Sequence, residues 1–126
     1  MSINEICSKY GVRVEYFDKD AWNRNGIYID EIKVVFVTKD LSPDKQKQVI
    51  LHELGHIDHT EREYQNALIR CENEANRNMI HHLLEDALAN LESPEDFNYL
   101  NFMEFYNLKS VTDEIMVKEE YKALIS

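Results

Sequence analysis

The spacing of hydrophobic positions changes its period along the chain, and each change marks a new element. Ser2 with Glu5 three residues later forms a capping box, and Ile3, Ile6 and Tyr10 recur at helical spacing until Gly11 ends the run, which predicts a short helix over residues 2–10. The period then drops to two. Val12, Val14 and Tyr16 alternate with Arg13, Glu15 and Phe17, and two more strand-like runs follow, Gly26 to Asp30 and Ile32 to Thr38. These predict a small three-stranded sheet with a hairpin at Asp30 and Glu31.

The helical period returns at Ser42 and Pro43, a capping hydroxyl followed by proline at the first helical position, and no breaker appears before Thr60. A second helix is therefore expected over residues 43–59. From Tyr64 to Leu91 a long amphipathic helix is predicted by Leu68, Cys71, Ala75, Met79, Leu83 and Ala87, and Ser93 and Pro94 stop it. Two shorter helices, Glu95 to Tyr106 and Val111 to Leu124, complete an α+β order of helix, sheet and helices.

The second helix carries the chemistry. His52, Glu53, Leu54, Gly55 and His56 spell HExxH. At about 100° per residue the two histidines lie about 40° apart and about 6 Å along the axis, so both imidazoles reach one ion, and a tetrahedral zinc ion accepts such a pair. Glu53, beside a ligand but not itself one, is placed to activate water. Ile50, Leu54 and Ile57 lie on the opposite side of the helix, so its apolar face is expected on the sheet and its histidines in a cleft.

A catalytic zinc ion needs a third protein ligand and an open position. His59 shares the histidine face but lies about 10 Å along the axis from His52, too far on an unbroken helix. Glu72 is the better candidate, because the wheel of the long helix points it to the centre of the apolar stripe while Glu74 turns to solvent. Asn76, one turn after Glu72, is placed to hold the outer nitrogen of a ligand histidine. Tyr64, His82 and Tyr106 are the candidates for stabilising an oxyanion, and the sequence does not choose among them. A closed structural zinc site would want a fourth Cys or His, and Cys71 points about 100° from Glu72.

Composition narrows the partners. The 126 residues fit a single domain, residues 1–126, and three glycines and two prolines indicate an ordered, helix-rich chain. A net charge of −10 argues against direct nucleic-acid binding, which depends on Lys and Arg neutralising phosphates, and suits a basic protein partner. The chain shows no secretory leader and no long apolar run, so a cytoplasmic protein off the membrane is expected, with Cys7 and Cys71 as reduced thiols.

HELGH at 52–56 followed by ENEAN at 72–76 resembles the ImmA/IrrE family of metallopeptidases, often encoded by phages and integrative elements. GIYIDEIKVVFVTKDLSPDKQKQVILHELGH is similar to the family's sheet leading into its active helix, and NFMEFYNLKSVTDEIMV resembles the C-terminal segment of phage-type members. The resemblance implies a minimal zincin-like fold, Zn2+ held by His52, His56 and Glu72, and Glu53 as catalytic base. It also implies a substrate, a helix-turn-helix repressor cut at a specific site. The alternative is a metal-binding regulatory module that grips a repressor without cutting it.

Overall fold

In the computed structural model, which describes residues 2–58 and 66–126, Ser2 caps helix α1 (Ile3–Tyr10), and its capping box with Glu5 is formed. Gly11 ends the helix in the left-handed region (φ 68°), a conformation that costs glycine nothing. Strands β1 (Arg13–Phe17), β2 (Gly26–Ile29) and β3 (Val34–Thr38) form one sheet in the order β1-β3-β2. β2 and β3 pair antiparallel, as the predicted hairpin requires, whereas β1 and β3 run parallel. Residues 30–32 form a 3-10 turn that ends on Lys33 at φ 53°, so β3 begins at Val34 rather than at Ile32. The unbroken VVFVT run is that of a central strand: Val34, Val35, Val37 and Thr38 are all buried.

Helix α2 (Pro43–Leu54) starts on the Ser42 cap with Pro43 at its first position, and buries Ile50, Leu51 and Leu54. Its end departs from the sequence expectation of residue 59. Gly55 to Asp58 form turns in which the amides of His56 and Ile57 bond to carbonyls three residues back, Glu53 and Leu54. The final turn is thus tightened, as helix ends commonly are.

The long helix α3 (Leu68–Ala89) packs on α2 along one side and on α5 (Val111–Ile125) along another. Its buried stripe is Cys71, Ala75, Met79, Ile80, Leu83 and Leu84, while Leu68, expected in the stripe, is 49% exposed. The predicted Glu95–Tyr106 helix divides into a 3-10 turn (Pro94–Asp96) and α4 (Tyr99–Phe105), because the Asn98 side chain caps a new start by accepting from the Asn101 amide. Ser110 and Asp113 form a capping box on α5. One hydrophobic cluster runs from Ile6 on α1 through Val35 and Val37, α2 and α3 to Val117 on α5. Among the described residues, no helix is long and apolar enough to cross a membrane.

Candidate metal centre

Where α2 meets α3 the two backbones come very close. A Cβ on Gly55 would stand 2.6 Å from the Ala75 Cα and 3.0 Å from its carbonyl oxygen, so only glycine fits. The Asn78 amide adds a tie across this seam, donating to the Leu51 carbonyl at 3.2 Å. These contacts set the depth at which α3 presents Glu72 and Asn76 to the histidines.

One nitrogen from each histidine and a Glu72 oxygen lie within 4.8 Å of one another, a set that could hold a metal ion. His52 Nε2 and His56 Nε2 stand 3.3 Å apart, and each is 3.1 Å from a Glu72 carboxylate oxygen. Ligands on a tetrahedron with bonds of about 2.0–2.1 Å are separated by about 3.3 Å, so the spacing fits an ion the size of zinc. The carbonyl oxygen of Asn76 accepts from His52 Nδ1 at 2.8 Å, which turns Nε2 toward Glu72 as the nitrogen that would meet a bound ion. Glu72 therefore sits at the rim of the buried stripe rather than at its centre, its side chain 35% exposed, as a group that must meet an ion in a cleft would.

Glu53 turns from the ligand pair toward the sheet. Its Oε2 accepts from the Tyr28 backbone N–H on β2 at 3.3 Å. Burial pushes its carboxyl above the ordinary range, against His52, the Tyr28 N–H and Arg24, which favour the charged form. Since β2 is an edge strand, this amide points away from β3 and into the cleft. Gly26 makes the approach of β2 to α2 feasible, because a Cβ there would lie 2.5 Å from Val49 Cγ1 and 2.8 Å from the Phe36 carbonyl oxygen.

The cleft is about 880 Å³ and is bounded by β2, α2, α3 and the α4–α5 turn, with His52, Glu53, Asn76 and Tyr106 on its walls. Lys45 Nζ donates to the Phe105 carbonyl at 2.7 Å and Gln48 Nε2 to the Tyr106 carbonyl at 2.8 Å, fastening the far wall to α2. Asn107, at φ 58°, reverses the chain behind them.

Of the three oxyanion candidates, the structure brings Tyr106 to the cleft, where burial, with Asp44 adding, raises its hydroxyl above the ordinary range. His82 is not brought there. It lies ten residues beyond Glu72 on α3, about 15 Å along the axis, and pairs with Glu85 at 3.3 Å. Tyr64 and His59 lie outside the described residues.

Residue patterns alone missed the Tyr28 amide, Asn78, Arg24 and the Lys45 and Gln48 ties. Only the last pair had a signal, since residues 45, 48 and 52 share one face of α2.

A sequence model of the IrrE N-terminal-like domain, a peptidase family, matches residues 7–118. No curated protein and no solved structure matches the chain.

Proposed function

The chain belongs to the IrrE N-terminal-like family of metallopeptidases, and from that membership we propose that it is a zinc-dependent endopeptidase that cuts a helix-turn-helix repressor of a phage or mobile element. The observation that carries the reading is the convergence of His52, His56 and Glu72, with Asn76 orienting one imidazole and Glu53 tied to the sheet edge beside them. Two imidazoles and one carboxylate with a position left open form the donor set of a catalytic rather than a structural zinc site.

A zinc ion held there would supply acidity to water and polarise a carbonyl. The rest falls to this chain's own groups. Glu53, its carboxylate steadied by the Tyr28 amide, takes the proton of the attacking water and returns it to the leaving amine. Gly26 and the Tyr28 carbonyl sit on the outward-facing phase of the edge of β2, where a substrate in extended form adds as a further strand beside Glu53 and the ligands, the Tyr28 N–H being held by Glu53. Tyr106, on the opposite wall, is the candidate to steady the oxygen that gains charge. Net charge −10 favours a basic protein partner over nucleic acid. Cys7 and Cys71, both buried and unpaired, suit the reducing cytoplasm.

The test is to incubate the zinc-loaded protein with a candidate helix-turn-helix repressor and follow the repressor by intact-mass spectrometry. A single pair of fragments is expected. Glu53→Gln should keep its zinc and slow cleavage about 10²- to 10⁴-fold. A mutant as fast as the wild type removes Glu53 from the mechanism, and binding without fragments from either protein favours the non-cleaving regulatory module.

A further inference from the structure

Arg24 stands at the mouth of the cleft, on the same lining as His52 and Glu53. Its guanidinium lies over the Trp22 ring, 5.6 Å from the centroid. Trp22 in turn packs on Phe17 of β1 (5.5 Å) and Phe36 of β3 (6.3 Å), so an aromatic platform anchored in the sheet carries the cation. The backbone is fixed on both sides: the Arg24 amide donates to the Trp22 carbonyl at 2.9 Å, and the Asn25 carbonyl accepts from the Thr38 amide at 2.9 Å. Stacking on a ring lowers the entropy that a long side chain loses when it binds and strips part of its hydration, which strengthens any later contact with an anion.

Arg13, Arg70 and Arg77 each face a carboxylate, Glu15, Glu74 and the Glu119–Glu120 pair. Among the described residues Arg24 forms no such close ion pair, although its field favours the charged form of Glu53, in a chain with 24 acidic side chains against 14 basic ones. A positioned cation with no carboxylate in close contact, in a strongly acidic protein, has room for an incoming anion. Its place says where from. Arg24 lines the cleft two residues before β2 begins, beside the edge whose Tyr28 amide meets Glu53.

We propose that Arg24 is a specificity-determining residue that reads an Asp or Glu side chain of a peptide lying along β2. The proposal rests on the peptidase reading for the presence of a bound peptide. It commits the site to an extended segment with a carboxylate a short distance from the scissile bond, on the side of the N-terminal end of β2. A guanidinium grips such a group through two parallel hydrogen bonds, which gives direction as well as attraction.

The experiment uses the zinc-loaded Glu53→Gln protein, so that binding is read without turnover, and fluorescein-labelled Thr/Val-rich peptides in which one Asp, or one Lys, is moved stepwise. Affinity is read by anisotropy, and emission of Trp22, the single tryptophan, reports contact at the platform. At one position the Asp peptide should bind about tenfold more tightly than its Lys twin. Adding Arg24→Gln should bring that ratio close to one, Arg24→Glu should invert it, and Arg24→Lys should retain only part of it. Circular dichroism and zinc content confirm that each variant is folded.

A ratio that stays the same in Arg24→Gln and Arg24→Glu overturns the proposal, as does failure of every peptide to bind. Cleavage of the same peptides by the wild-type protein separates the two readings. Peptides cut without any charge preference leave the peptidase standing and remove Arg24. A preference that follows Arg24 without any cleavage does the reverse.

Discussion

The two walls of the cleft are built by different means. On the ligand side, α2 and α3 touch backbone to backbone at Gly55 and Ala75, with Leu51, Leu54 and Met79 buried around them. On the far side, the turn after α4 sinks only Leu108 into the core, and Lys45 and Gln48 tie it to α2, each donating to one carbonyl. A close-packed helix seam has no adjacent minimum to slide into, whereas the far turn, which reaches the core through Leu108 and is tied to α2 by hydrogen bonds of about 1 kcal/mol each, has more room to adjust. The difference teaches that the two walls are separable here: the geometry of the His–His–Glu set is fixed by packing, while the shape of the opposite wall rests on a surface turn.

The hardest way to break the ligand side is to remove its donors. His52→Ala with His56→Ala should reduce zinc from about one per chain to none after mild dialysis, as elemental analysis would read, and cleavage should vanish with it. Full zinc content in the double mutant would place the ion elsewhere.

Next comes the seam. Gly55→Ala puts a methyl group into the Ala75 backbone, where no flexible side chain can yield, and should destabilise the fold by about 3 kcal/mol. Urea titration would measure this, and zinc affinity should fall as well because Glu72 recedes with α3. An unchanged midpoint would show that the seam is looser than its contacts imply.

Asn76→Ala tests orientation rather than packing. Loss of the acceptor on His52 Nδ1 should weaken zinc binding about 10- to 100-fold with the fold intact, read by competition with a chromogenic chelator. An affinity equal to wild type would leave Asn76 a structural residue.

Gln48→Ala, on the far wall, should have the smallest effect, about 1 kcal/mol or less in stability and none in zinc affinity, with a change in KM for the proposed repressor substrate larger than in kcat. If it lowered zinc affinity as much as Asn76→Ala does, the two walls would be one unit and the comparison would fail.

What the sequence determined by itself was local. Capping boxes at Ser2 and the Ser42–Pro43 start are legible because caps and helix starts are decided within one turn. Helical periodicity also placed His52 beside His56 and chose Glu72 over Glu74, because positions one turn apart share a face whatever the rest of the chain does.

Tertiary structure decided what depends on partners far away in the chain. The parallel pairing of β1 with β3 made β2 an edge, and that edge turned the Tyr28 amide to Glu53. The contact with Ala75 explains a glycine that the motif alone leaves unexplained, and the tightened turn after Leu54 ends a helix whose periodicity ran on. Tyr106 reached the cleft and His82 did not, though both are aromatic groups of suitable chemistry. Their positions follow from which helix faces pack together, and that is settled by the burial of the whole core rather than by any stretch of residues around them.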